Sequence, residues 1–260
     1  GNNGVASESR VLSLGGYTFD RYPGSITNAE SHATSLSYDL RFGLPKSITD
    51  PNGNSTYLEY DRFGRLIERT QPDGTTISYT YDSCGSGGWC NLGDSPQAII
   101  GVTVTTTNGS TQTAPTRRVT YDPTGAVIRD ETEAFDAADG WQRVDYRYDR
   151  AGRRIKESLP YFSASGSPAW SDLRLDHKGR PIRVDRPDGT RLETTYRYNA
   201  NLLEVTTEES GTGQEKRNSY DARGFLVSTI DGFGSAQAQT ASYAYTTHGE
   251  LSTVTIGSTA

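Results

Sequence analysis

The sequence predicts an all-β fold, a spiralling antiparallel β-sheet built from stacked β-hairpins. Three observations predict it. A tyrosine-aspartate pair followed by a glycine recurs along most of the chain. Pro-Asn-Gly and Pro-Asp-Gly turns lie between several of the copies. The segments between turns alternate apolar and polar side chains, which places successive residues on opposite faces of a strand.

Composition agrees. Only 33% of the 260 residues are hydrophobic and mean hydropathy is −0.68, too polar for a chain folded around one thick core. Disorder is the rival, but 16 Tyr, 7 Phe and 3 Trp are more aromatics than disordered chains carry. Frequent Thr, Tyr and Val suit half-buried pleated surfaces, and 28 Gly with 11 Pro supply many turns. A net charge of −6 argues against a general nucleic-acid binder, which presents a basic face. No run of 18 apolar residues is present, so no membrane-spanning helix is expected. The polar start Gly1-Asn2-Asn3-Gly4 is not a signal peptide, and Met is absent throughout. The chain therefore reads as a fragment of a longer protein, with localisation signals lying elsewhere.

Taken in order, residues 1–37 lack the repeat and read as a cap or a linker, with Val5 to Ala33 able to cover a sheet edge. The repeat array runs over 38–254, and 255–260 is a tail. Its units begin at Tyr38-Asp39 with Gly43, Tyr60-Asp61 with Gly64, Tyr81-Asp82 with Gly85, and Tyr121-Asp122 with Gly125. They continue at Tyr148-Asp149 with Gly152, Leu175-Asp176 with Gly179, Tyr220-Asp221 with Gly224, and Tyr245 with Gly249. A degenerate unit starts at Tyr198-Asn199, with Asn201 near the glycine position as the next most tolerant residue for left-handed backbone. The starts fall 21 to 27 residues apart save one interval of 40. That interval, about 84–118, holds a Cys/Gly loop and the Thr-rich stretch Val102 to Thr113, and reads as an insertion or a decayed repeat.

Second turns lie at Asp50-Pro51-Asn52-Gly53, Pro72-Asp73-Gly74 and Pro187-Asp188-Gly189, where Asn-Gly and Asp-Gly supply positive φ at low cost. Between turns, Ile77, Tyr79 and Tyr81 share one face, as do Val144, Tyr146 and Tyr148, and Thr194, Tyr196 and Tyr198. Each unit is thus one hairpin, with arms of about seven residues. Its few apolar side chains cannot offset the entropy of ordering its backbone. Neighbouring hairpins must pair edge to edge, and a long sheet so formed twists.

The aspartate after each Tyr is read as structural. Its side chain, three or four residues before a glycine, can accept backbone N–H groups and close an Asx turn. Calcium binding is the functional rival, although the spacing is not that of calcium-binding nonapeptides. The tyrosine stripes read as sheet packing, with glycan or partner binding as the alternative. Cys84 and Cys90 flank a glycine-rich loop and read either as free thiols or as a short disulfide; C-x5-C without a nearby His is not a zinc signature. The acidic pairs Asp130-Glu131 and Glu208-Glu209 read as solvated strand positions rather than acid–base machinery. His177 and His248 fall at turns, and His32 is the one other histidine. No nucleophile elbow or phosphate loop is present, so no catalytic, cofactor or metal site is expected.

Read together, Y-D-x-x-G-R-L, P-D-G-T and Y-x-Y-D resemble the YD repeat of bacterial Rhs proteins, of toxin-complex shell components and of animal teneurins. The segment YDRFGRLIERTQPDGTTISYTYD, Tyr60 to Asp82, carries the pattern almost in full. YDLRFGLPKSITDPNG, Tyr38 to Gly53, resembles bacterial members, and Ser158 to Phe162 with Pro168-Ala169-Trp170 resembles a decorated repeat of large Rhs chains. The resemblance implies a spiral β-sheet closing into a hollow shell around a C-terminal effector, in a secreted or cell-surface bacterial protein. The implied partners are the rest of the parent chain and its cargo, with self-association through open sheet edges. An adhesion module that binds a glycan or a protein is the alternative. Asp122-Pro123-Thr124-Gly125-Ala126 departs from the family's D-P-x-G-L self-cleavage motif at Ala126, so no self-cleavage is expected.

Overall fold

The computed structural model describes residues 12–85, 88–92 and 97–258. It divides into two compact units, Gly1–Gln142 and Arg143–Ala260. In the first, β1 (Ser13–Gly15), β2 (Ser25–Thr27), β3 (Ala33–Asp39), β4 (Leu44–Thr49) and β5 (Ser55–Tyr60) are followed by β6 (Leu66–Thr70), β7 (Thr75–Ser83), β8 (Ile100–Asn108), β9 (Thr111–Tyr121) and β10 (Val127–Glu133). Each pairs antiparallel with the next in the chain. A 3-10 turn, Ala137–Asp139, precedes β11 (Trp141–Tyr148), which leads into the second unit.

There follow β12 (Arg154–Ser158), β13 (Tyr161–Phe162), β14 (Trp170–Leu175), β15 (Pro181–Asp185) and β16 (Arg191–Asn199), then β17 (Leu202–Glu209), β18 (Gln214–Tyr220), β19 (Leu226–Asp231), β20 (Gln239–Tyr245) and β21 (Leu251–Ser258). These again form an antiparallel meander, in which β12 pairs with both β11 and β14. The all-β expectation holds: no α-helix occurs among the described residues, hence no helix long and apolar enough to cross a membrane.

Strands touch chiefly their neighbours in the sheet. Among described residues the buried apolar side chains are only Cys90, Ala98, Val119, Ile128 and Ala238. Stability must therefore come from half-buried cross-strand pairs, such as Tyr79 opposite Val104 and Tyr196 opposite Val205, rather than from a thick core.

Several expectations need correction. Of the two readings of 84–118, insertion as a whole does not hold, and a decayed repeat fits better: β8 and β9 are two of the longest strands and carry the meander onward. Tyr81-Asp82 does not open a turn; β7 runs on through Ser83, pairing Asp82 with Gly101, and Gly85 lacks positive φ. The boundary at 37/38 falls inside β3, and β1 and β2 already belong to the sheet. Cap residues 5–11, the start 1–4 and the tail end 259–260 lie outside the described residues. At the degenerate unit, Asn199 pairs with Leu202, and Ala200 (φ 51°), not Asn201, takes the left-handed conformation. In the Pro-Asx-Gly turns only Gly53, Gly74 and Gly189 take positive φ; Asn52, Asp73 and Asp188 do not.

Candidate functional site: the repeat turn and its tyrosine anchor

The recurring side chains converge on one device. In the Asp149 turn, the Gly152 amide donates to Asp149 O and the Asp149 amide to Arg153 O, each within 3.0 Å. Gly152, at φ 75°, supplies the left-handed residue that closes this reversal. Asp149 Oδ1 accepts the amides of Ala151 and Arg153, both at 2.9 Å. The same pair of amide bonds reaches Asp61 from Phe63 and Arg65, and Asp122 from Thr124 and Ala126. It reaches Asp176 from Lys178 and Arg180, and Asp221 from Arg223 and Phe225. Asp50 repeats it in a second turn, with Asn52 and Asn54. Where the residue after glycine is Arg, its guanidinium returns to the same carboxylate: Arg65 to Asp61 at 2.6 Å, Arg153 to Asp149 and Arg180 to Asp176 at 2.7 Å.

The tyrosine locks one hairpin to the one before it. Tyr60 donates its hydroxyl to Pro45 O at 2.8 Å, Tyr81 to Leu66 O at 2.9 Å, Tyr196 to Pro181 O at 3.1 Å and Tyr245 to Leu226 O at 2.9 Å. In each case the acceptor stands two residues after the preceding turn glycine, namely Gly43, Gly64, Gly179 or Gly224. The intervening residue can cover the tyrosine ring: Arg65 lies 4.2 Å from the Tyr81 centroid, Arg180 4.0 Å from Tyr196, and Phe225 stacks on Tyr245 at 4.8 Å. Tyr38 makes the equivalent bond to Pro23 O and stacks on Tyr22. The ladder also slips by one residue immediately before Tyr38, Tyr60, Tyr148, Tyr220 and Tyr245, and before Leu175. A bulge at each such point increases local twist.

Electrostatics follow from this geometry. The Arg180 amide, aided by the Arg180 guanidinium and the Lys178 amide, lowers the Asp176 carboxyl from 3.8 to about 2 against the opposing effect of burial. Amide and guanidinium bonds from Arg153 lower Asp149 in the same way. At Asp61, Asp122 and Asp221 burial pulls upward, but the accepted hydrogen bonds outweigh it. Burial raises the Tyr60 and Tyr81 phenols, keeping them neutral donors.

Other predicted residues sit apart from this device. Asp82 accepts Trp89 Nε1 at 2.9 Å instead of capping a turn. The anchored tyrosine of the degenerate unit is Tyr196, whereas Tyr198 is 68% exposed. Cys84 and Cys90 are joined in a disulfide with Cα atoms 5.1 Å apart. Of the acidic pairs, Glu208 is exposed, but Glu131 is 2% exposed within β10, so the solvated reading is corrected there. Asp130 pairs with Arg117 at 2.5 Å. The three histidines are exposed. No group of three or more His, Cys, Asp or Glu could hold a metal ion among the described residues. Sequence reasoning missed Asp145, 1% exposed, whose amide donates to Ser158 Oγ and whose carboxylate accepts the Tyr161 hydroxyl, both at 2.9 Å. The one signal for it was the decorated Ser158 to Phe162 segment.

The profile of the RHS Repeat family matches residues 38–76 and 60–85, a segment in which turn, arginine and anchored tyrosine are all present. Residues 38–85 thus carry RHS repeats. No curated protein is a significant match to it. Among solved structures, the chain is similar to the crystal structure of TcdB2-TccC3, with TM-score 0.59 and 18% identity over 89% of its own length and 15% of that chain. It is similar also to TcdB2-TccC3-TEV, with TM-score 0.61 and 15% identity over 94% of its length and 18% of that chain. The Photorhabdus luminescens Tc holotoxin pore gives TM-score 0.63 and 15% identity, covering 94% of this chain and 17% of the other. At such identities the likeness shows the fold. The chain spans less than a fifth of each of these chains.

Proposed function

We propose that this chain is a wall segment of a toxin-type shell that encloses a C-terminal effector, and that it is structural rather than catalytic. The observation that carries this reading is the turn-and-tyrosine lock. Carboxylates, arginines and phenols, the groups that would do chemistry or recognition, are largely engaged in holding one hairpin to the next. Such a chain is suited to extending a sheet by a constant step, and the twist of each bulged hairpin curls that sheet toward enclosure. Solved structures of the same fold also support it: they pair TcdB2-TccC3 with Cdc42 or TEV, and one lacks a hypervariable C-terminal region, as expected of a wall with exchangeable contents. The partners are the remainder of the parent chain and its cargo, in a secreted or cell-surface bacterial protein.

The test uses the full-length parent. Its effector should resist added protease while the wall is intact, and become cleavable when Tyr81→Ala and Tyr196→Ala loosen adjacent hairpins. Equal cleavage of the effector in both proteins removes the enclosure reading.

A further inference from the structure

We propose that the Cys84–Cys90 disulfide is a redox-operated clasp that seats Trp89 on the sheet, closed under oxidising conditions and released by a dithiol reductant. The inference does not rest on the shell reading. It concerns the one unit whose Tyr-Asp pair makes no turn. There the loop after β7 replaces the Asx lock with an aromatic one: the Asp82 carboxylate, free of any turn, accepts Trp89 Nε1 at 2.9 Å.

The seat is closely fitted. Gly101, buried in β8 opposite Asp82, leaves room for the indole; a Cβ there would lie 2.6 Å from Trp89 Cζ2 and 2.9 Å from Cys90 Cβ. On the adjoining strand β9 the Arg118 guanidinium lies 4.9 Å from the Trp89 ring centroid and 4.1 Å from that of Trp141. Arg118 Nε is buried without a hydrogen-bond partner among the described residues, and the two aromatic rings lie against this guanidinium. Thr120, opposite Gly101 on β9, is fully buried beside it. Removing Trp89 would therefore uncover a charged group and the buried pair Gly101 and Thr120.

What keeps Trp89 there is the covalent link of its neighbour. Cys90 is fully buried and Cys84, whose amide donates to Ile99 O at 3.1 Å, is half-buried. A thiolate of a dithiol reductant can thus reach Cys84 Sγ first. It forms a mixed disulfide there and expels Cys90 as thiolate. The reductant's second thiol then attacks that mixed disulfide, freeing Cys84. The reductant ends as a disulfide, and the two cysteines, having gained two electrons and two protons, end as thiols. The short link that held Trp89 against Gly101 is then gone, and the indole is free to leave the sheet.

Hydrogen exchange read by mass spectrometry on the whole 260-residue chain tests this. Reduction with dithiothreitol should speed exchange about tenfold or more in β8 and the end of β9, while β16 and β17 keep their rates. In the oxidised protein, Gly101→Ala should reproduce the effect with the disulfide intact, because the added methyl displaces the indole. The double variant Cys84→Ala, Cys90→Ala should no longer respond to reductant. Two free thiols in the untreated protein, unchanged exchange on reduction, equal acceleration in both units, or a silent Gly101→Ala would each overturn the clasp.

Discussion

At the residue scale the turn aspartates make stability depend on acid. A carboxyl whose pKa is lowered in the fold stabilises the folded state when ionised, because its charge is better accommodated there than in the unfolded chain. Its contribution is complete above the ordinary value and is lost as pH falls through the folded value. For Asp176 that window runs from 3.8 down to about 2, and Asp39, Asp50, Asp61, Asp122, Asp149 and Asp221 are lowered in the same direction. Urea midpoints should hold as pH approaches 3.8 from above and then drop toward 2. Asp176→Asn should flatten part of that drop, since the amide cannot titrate; an unchanged pH profile would refute the assignment. The anchor makes a separate prediction. Tyr81→Phe removes a hydroxyl bonded at 2.9 Å to Leu66 O and should cost about 1 kcal/mol in urea unfolding. Tyr198→Phe, on a ring 68% exposed, should stay within about 0.5 kcal/mol of the parent.

At the element scale most of the hairpins turn on a left-handed glycine, but the cost of replacing it varies with what surrounds it. Gly152 has φ 75° and open space where a Cβ would stand, so Gly152→Ala should cost about 1 kcal/mol from backbone alone. Gly43, at φ 68°, faces the Tyr22 hydroxyl, which a Cβ would approach to 2.3 Å. Gly43→Ala should therefore cost severalfold more in the same thermal or urea melts, and equal costs would show that Tyr22 does not pack there. These turns explain how much the sequence disclosed. Tyr-Asp followed by Gly is local chemistry, readable because turn, cap and left-handed residue lie within five positions. The anchor was not readable in that way: Tyr196 rather than Tyr198 holds its unit because Pro181 O, fifteen residues earlier, is the acceptor, and that pairing exists only once the strands are in register. Asp82 was misread for the same reason, since its partner Trp89 arrives through a disulfide loop rather than a turn.

At the scale of the whole molecule the meander leaves an open edge. In the second unit β21 pairs with β20 alone among the described residues. It exposes Leu251 at 55%, Val254 at 47% and Ile256 at 77%, with none of the charged residues that blunt edge strands. Unpaired amides and carbonyls beside apolar side chains form a template for another strand, so the 260-residue chain should self-associate as its concentration rises. Sedimentation velocity over a dilution series should show the weight-average coefficient climbing with concentration. Ile256→Lys should suppress that climb while leaving the circular dichroism of the sheet unchanged, because a charge on the edge opposes pairing with a second copy and removes no contact of a buried core. A coefficient independent of concentration in the parent chain, or a climb that survives Ile256→Lys, would show that β21 is not the adhesive edge.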